Sequence, residues 1–339
     1  MTRRLPVYLL LDCSESMAGP AIEAVSTGVN TLINQLRGNP LALETVYMSV
    51  ITFSREARQV LPLTELIGFQ PPKLTVRPGT ALGGALRLLI DCLNREVVKT
   101  TEYSKGDYKP LVFILTDGQP TDNWRESADK IRSRKDTKIA NIYAIGCGPD
   151  VDSEVLYRIT DIVLMMPDLT PDTVKKLFIW LTASIQTASV KLTTKIGEEI
   201  INTSDLPKDV LEIASKFAPR REGMPRQLFL HSRCVRNRLP YLMRYQLIEE
   251  YQKYIPVASH RLEVSEEGDA DLLPPINSSL IVGCPPCPYC ENPGVLVCSC
   301  GALFCDGGST TGGVICPTCN VQIQTITEEG SFDIKHIQG

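Results

Sequence analysis

The chain has 339 residues, of which 43% are hydrophobic and 22% charged, and its formal net charge is −4. This composition excludes disorder as the main state, and the charge balance argues against nucleic acid or an acidic membrane as the main partner. The length accommodates one core of about 150–200 residues plus smaller appendages.

The opening, MTRRLPVYLLLDCSES, has an apolar run that is interrupted by Pro6 and ends at Asp12 without a small-residue cleavage site. No stretch reaches the ~18 apolar residues of a membrane span. A soluble, cytoplasmic protein is therefore expected. Strand-like and helix-like segments alternate up to about residue 190. LPVYLLLD (5–12) is a continuous apolar run, as in a strand buried on both faces. Residues 20–38 place Ile22, Val25, Val29, Ile33 and Leu36 near helical spacing, with Gly38 as a stop. Residues 44–54 and 55–64 read as a strand hairpin, and 81–99 as a helix. KPLVFILTDG (109–118) is a second buried strand. Residues 126–136 read as a polar-faced helix, 139–148 as a third core strand, 161–167 as a short strand and 171–189 as a closing helix. Such alternation predicts an α/β domain over 1–190: a doubly wound, mainly parallel sheet with helices on both faces. Residues 191–283, rich in proline and short strand-like pieces, read as a small β-rich linking segment. Residues 284–323 read as a cysteine-rich zinc ribbon and 324–339 as a tail.

Three loops of the first domain carry oxygen donors. Asp12, Ser14 and Ser16 follow the first strand, Thr80 opens the helix after Pro78 and Gly79, and Asp117 ends the next buried strand. Each element alone has a plainer reading: Asp-x-Ser-x-Ser as a helix cap, Thr80 as a cap, Thr-Asp-Gly as a turn. Together they form an incomplete octahedral set of hard oxygens, suited to Mg²⁺, Mn²⁺ or Ca²⁺. A carboxylate from a partner protein can complete it.

DCSES, GTALGGAL and ILTDGQPTD resemble the three pieces of the metal-ion-dependent adhesion site (MIDAS) of von Willebrand factor A domains. The resemblance covers residues 5 to about 190. More narrowly, LPVYLLLDCSESMAG, ALETVYMSVITFS and KPLVFILTDGQPTDNW resemble the TerY proteins of bacterial tellurium-resistance operons. The resemblance implies a protein-binding module with Asp12, Ser14, Ser16, Thr80 and Asp117 as ligands, directly or through water. It also implies a phosphorylation-linked stress system, with a serine/threonine kinase and a metal-dependent protein phosphatase as partners. Cys13 and Glu15 depart from the usual Thr and Gly, and Glu15 is expected to add charge at the rim of the site.

Twelve cysteines are present, eight of them between Cys284 and Cys319. Cys287-Pro-Tyr-Cys290 and Cys316-Pro-Thr-Cys319 are matching C-P-x-C turns, and two such turns facing one another predict a tetrahedral zinc site. Cys298, Cys300 and Cys305 remain. They either build a second zinc site with Cys284 or Cys234, or are buried free thiols. CPYC, CSCGALFC and CPTC are similar to the C-terminal metal-binding region of long-tailed TerY-like proteins.

An enzyme is not expected. Haloacid-dehalogenase-like phosphatases also bind Mg²⁺ after the first strand, but they need a second carboxylate where this chain has Ser14. The three histidines, His231, His260 and His336, all lie outside the first domain. A nucleic-acid-binding zinc protein is the other alternative. It conflicts with the charge of 284–339, where Glu291, Asp306, Glu328, Glu329 and Asp333 face only Lys335. Arg220, Arg221, Arg226, Arg233, Arg236, Arg238 and Arg244 form one basic stretch. It is either a solvated face or a contact for an acidic or phosphorylated segment. The function expected is a metal-dependent protein-binding scaffold or adaptor.

Overall fold

The computed structural model describes residues 3–133, 142–148, 151–194, 206–207, 209–214, 224, 226–263, 275–308, 313–323 and 331–334. The chain forms two compact units. The first comprises Met1–Cys13, Pro20–Leu74 and Thr80–Arg220, and the second Ser14–Gly19, Thr75–Gly79 and Arg221–Gly339.

In the first unit, β1 (Leu5–Asp12) leads to α1 (Pro20–Arg37) and the short α2 (Pro40–Thr45). The hairpin strands β2 (Val46–Phe53) and β3 (Ala57–Glu65), α3 (Leu82–Glu96) and β4 (Leu111–Thr116) follow. After them come α4 (Arg125–Ser133), β5 (Ile142–Cys147), α5 (Ser153–Ile159), β6 (Ile162–Met166), α6 (Pro171–Thr194) and β7 (Glu212–Ile213). The strands form one sheet in the order β3-β2-β1-β4-β5-β6-β7. All pairs are parallel except β2 with β3 and β6 with β7. The expected architecture is thus present. Every residue of β1, β4 and β5 is buried, as their unbroken apolar runs require of strands covered on both faces.

Tyr8, Leu10, Ile51, Phe53, Val112 and Ile114 pack with α3, α4 and α5 in one core. By the two-residue strand period, Val7, Leu9 and Leu11 point to the opposite face. There α1 and α6 pack so closely that a Cβ on Gly28 would lie 2.2 Å from the Phe178 ring. Two short helices go beyond the sequence expectation, and both are explained by their caps. The Asn39 side chain accepts from Ala42 N–H at 3.0 Å ahead of Pro40, and Asp152 accepts from Glu154 N–H at 2.9 Å. The last residues of the expected helix 126–136 and the first of the strand 139–148 lie outside the described residues.

In the second unit, β8 (Gln227–Arg233), β9 (Pro240–Ile248) and β10 (Lys253–Arg261) form an antiparallel meander. The two-residue β11 (Ile276–Asn277) follows, then the hairpin of β12 (Val295–Val297) and β13 (Leu303–Cys305). β14 (Val314–Ile315) pairs with β15 (Gln322–Ile323), and β16 (Asp333–Ile334) returns to β11. β13 lies parallel to β8, in register Phe304↔Arg233, which yields a five-stranded sheet in the order β10-β9-β8-β13-β12. The segment expected as a separate linker (191–283) and the one expected as a free-standing ribbon (284–323) therefore share a sheet. The change of composition at residue 284 is therefore not a fold boundary. Further toward the N-terminus, α6 extends past residue 190 and β7 joins the first sheet.

The core of this sheet is built on Leu228, Leu230, Tyr241, Met243, Tyr245 and Tyr254. A smaller cluster joins Ala18 and Val76 to Phe229, Leu242 and Leu262. Gly19 has φ +81°, and a Cβ there would lie 2.6 Å from the His260 ring, so both backbone and space demand glycine. Among the described residues no helix is long and apolar enough to cross a membrane.

The α1–α6 contact has a direct test. Gly28→Ala forces a methyl into the Phe178 ring and should cost about 1–3 kcal/mol in urea unfolding. Adding Phe178→Leu to that variant should recover part of the loss. A stability unchanged by Gly28→Ala would contradict the close helix packing.

Candidate metal centres

The strand order of the first sheet reverses between β1 and β4, and in open α/β sheets ligands bind at the carboxyl ends of strands beside that switch point. Asp12 is the last residue of β1, and Asp117 follows the last residue of β4. Asp12 is fully buried, and its Oδ2 accepts from Thr116 Oγ1 at 2.5 Å. Thr80 is tied to the loop that follows Asp117. Its N–H donates to Thr121 Oγ1 at 2.9 Å, and its carbonyl accepts from Thr121 N–H at 3.0 Å. The Thr80 hydroxyl is buried and has no hydrogen-bond partner. An orphaned buried hydroxyl costs about 1–3 kcal/mol unless something accepts or coordinates it. The donor set thus fits a hard cation.

Ser14 and Ser16 follow Asp12 by two and four residues. Their hydroxyls lie 3.0 Å apart, with Ser14 buried and Ser16 partly so. Burial first, then the charges of Asp12 and Asp117, holds the Cys13 and Cys147 thiols well above the ordinary range. Both therefore stay protonated and act as small hydrophobes.

Glu15 corrects the expectation of a charge at the rim. Its side chain is fully buried. Oε2 accepts from Gly79 N–H at 2.8 Å, and Oε1 lies 2.9 Å from His231 Nε2. The sequence could not reveal this, because His231 lies on β8, 216 residues away.

The cysteines fall into two clusters. Cys234, Cys287, Cys290 and Cys305 form one, and Cys298, Cys300, Cys316 and Cys319 the other, with all sulfurs of a cluster within 4.8 Å of one another. Cys284 belongs to neither. A tetrahedral Zn–S bond of about 2.3 Å requires S···S separations of about 3.8 Å. The separations present are 3.6 Å for Cys290–Cys305, 3.4 Å for Cys298–Cys319 and 3.9 Å for Cys300–Cys316. The two C-P-x-C turns do not face one another, contrary to the expectation; each closes on cysteines of other segments. The β12–β13 hairpin supplies both clusters. Cys298 and Cys300 lie in its turn, whereas Cys305 ends β13, which the pairing with β8 brings beside Cys234.

Local backbone shows why these segments bind alike. Cys287 N–H donates to the carbonyl of Asn292, and Glu291 N–H to that of Cys287. Cys316 repeats the pattern with Val321 and Asn320, and Cys234 repeats it with Leu239 and Arg238. In each turn the fourth residue on is left-handed, with φ 61° at Glu291, 61° at Asn320 and 62° at Arg238. The Cys234 turn is thus a knuckle with a single cysteine, and of the two alternatives expected beside Cys305, Cys234 and Cys284, it is Cys234 that lies there. One sulfur in each cluster is shifted toward the thiolate. The Cys298 thiol is pulled down to about 6, first by the Cys300 N–H against the opposing effect of burial, then by the neighbouring thiols. Burial raises the Cys234 thiol, but the N–H groups of Asn237 and Arg236 and the thiols of Cys287 and Cys290 outweigh it and leave it lowered.

The arginine stretch is spread out. Arg220 and Arg221 lie outside the described residues. Arg226 pairs with Glu249 at 3.1 Å, Arg236 donates to the Gly307 carbonyl at 3.0 Å, and Arg233 donates to the Arg238 carbonyl at 3.3 Å. Arg244 lies on β9, opposite Phe229.

Comparison with known proteins agrees with both units. Residues 7–169 match the von Willebrand factor type A domain. Residues 226–339 match the TerY-C metal binding domain, so the chain carries both domains. Similar solved structures include proximal thread matrix protein 1 from the mussel byssus, at 16% identity over 54% of this chain and 48% of that one, TM-score 0.40. The ArnB paralog VWA2 from Sulfolobus acidocaldarius is 16% identical over 52% of this chain and 45% of that one, TM-score 0.39. A von Willebrand factor type A protein from Catenulispora acidiphila is 18% identical over 55% and 43%, TM-score 0.40. This chain spans about half the length of each.

Two outcomes are expected. Cys287→Ser/Cys290→Ser should leave the metal of the Cys298 cluster in place, as read by metal analysis of the full chain; simultaneous loss from both C-P-x-C turns would restore the single-ribbon arrangement. Glu15→Ala leaves the buried Gly79 N–H without its acceptor and should cost about 1–3 kcal/mol in thermal or urea unfolding, with Glu15→Gln retaining most of the stability. Equal stability of all three proteins would show that the buried carboxylate is dispensable.

Proposed function

We propose that the chain is a non-enzymatic adaptor that captures a protein partner through a divalent cation at its von Willebrand factor type A domain. Asp12, Ser14, Ser16, Thr80 and Asp117 would hold Mg²⁺, Mn²⁺ or Ca²⁺ in the manner of a MIDAS. The observation that carries the reading is the buried, unpartnered Thr80 hydroxyl on a loop bonded to the one that follows Asp117. A cation held by two carboxylates and three neutral hydroxyls keeps uncompensated positive character and attracts an acidic side chain from outside. The partner would present an Asp or Glu to the rim formed by residues 14–17, 79–81 and 117–119.

The TerY-C domain would bind two zinc ions, one per cysteine cluster. The metal would supply folding energy that the short strands β12 to β15 cannot draw from a core. Twelve free cysteines, eight of them in such sites, suit a reducing compartment, in keeping with a cytoplasmic location. The resemblance to TerY proteins supports a place in a phosphorylation-linked stress system, with a kinase and a metal-dependent phosphatase as partners.

Pull-down from the native host tests the adaptor reading. Partner capture should be lost on chelation of divalent cations and in Asp12→Ala, with the fold retained by circular dichroism. A partner held with equal affinity after both treatments would place the binding surface elsewhere on the chain.

A further inference from the structure

The motif ILTDGQPTD holds two residues that the proposed ligand set leaves unused, Thr121 and Asp122, and both are spent on the loop that carries Thr80. Thr121 bonds both backbone groups of Thr80, its Oγ1 accepting from Thr80 N–H at 2.9 Å and its own N–H donating to the Thr80 carbonyl at 3.0 Å. Asp122 grips the next turn. Its Oδ1 accepts from Gly83 N–H at 2.9 Å and its Oδ2 from Gly84 N–H at 2.7 Å, with Arg87 at 3.7 Å from Oδ2. These N–H groups lie in the first turn of α3 and have no partner within the helix, so the carboxylate caps it and favours its positive end. The approach is close. A Cβ on Gly83 would lie 2.6 Å from Trp124 Cα and 2.8 Å from the Asn123 carbonyl oxygen, which accounts for glycine at this position in GTALGGAL. Ala81 N–H donates to the Ser54 carbonyl at 2.6 Å and closes the other side of the loop.

The backbone of Thr80 is thus bonded at both its N–H and its carbonyl, while its buried hydroxyl has no partner. We infer that Thr121 and Asp122 are positioning residues that lock the Thr80 loop to the Asp117 loop and so preset the Thr80 hydroxyl as a cation ligand. The inference rests on the metal-site reading above. Groups that only orient metal ligands typically contribute about 10–100-fold to metal affinity. The ligand itself is Thr80; Thr121 and Asp122 act through it.

Mn²⁺ binding to the full chain, followed by electron paramagnetic resonance and calorimetry, tests the clamp. Thr121→Val and Asp122→Asn should each weaken Mn²⁺ binding about 10-fold or more, and Thr80→Ala should weaken it at least as much. Thr121→Ser restores the hydroxyl and should bind Mn²⁺ as the wild type does. Circular dichroism and the unfolding midpoint identify any variant that fails to fold, and whichever of Thr121→Val and Asp122→Asn folds carries the comparison against Thr121→Ser and Thr80→Ala. Wild-type affinity in folded Thr121→Val and Asp122→Asn, with binding lost in Asp12→Ala, would overturn the clamp and keep the metal site. Absence of Mn²⁺ binding by the wild type would overturn the site itself, and the clamp with it.

Discussion

The pairing of β1 with β4 governs the first unit. Both strands are apolar up to their last residues, Asp12 and Thr116, and lie in the middle of a covered sheet. Once they are neighbours, the chain runs outward from β1 to β3 on one side and from β4 to β6 on the other. The two chain segments that leave their carboxyl ends then lead to helices on opposite faces of the sheet. Register sets Leu11 beside Leu115, so Asp12 and Thr116 are neighbours and share a short hydrogen bond. A buried carboxylate is expensive to keep charged without compensation. At the switch point, Asp12 is compensated by the Thr116 hydroxyl that donates to it.

A different constraint organises the second unit. Its strands beyond the meander are two or three residues long, too short to hold together by ladder hydrogen bonds and side-chain burial alone. The two cysteine clusters lie among these strands. The β12–β13 hairpin contributes to both, and the parallel contact of β13 with β8 carries one cluster to the end of the meander. The clusters also differ in exposure. All but Cys290 of the first are buried, whereas Cys300 and Cys319 of the second are exposed. The first is accordingly a core element, the second a surface knuckle.

Hydrogen bonds from outside each loop fix the local geometry in both units. Thr121 and Asp122 hold the turn that opens α3, and Glu15 occupies the Gly79 N–H. These groups leave no trace of hydrophobic periodicity. They also look alike in sequence, each being a polar residue in a loop motif, yet they differ in role: Asp12 sits at the switch point, Asp122 caps a helix, and Glu15 is buried against a histidine.

Hydrophobic period and oxygen-donor spacing determined much of this protein from the sequence alone. The unbroken apolar stretches within 5–12 and 109–118 specify buried central strands, because a strand covered on both faces is apolar on both. Helices 20–38 and 81–99 follow from their apolar stripes and their glycine punctuation. Asp12, Ser14, Ser16, Thr80 and Asp117 are expected as a set on their spacing alone, because each falls at a strand-to-helix junction. The cysteine partners are not fixed that way. Two C-P-x-C turns in one short segment suggest that they face one another, and nothing local contradicts it. Tertiary structure decided otherwise, through a strand pairing between residues about seventy positions apart that seats Cys305 beside Cys234. The burial of Glu15 against His231 was likewise beyond reach. Spacing reports which residues share an element, but only the packing of distant elements decides which of them meet.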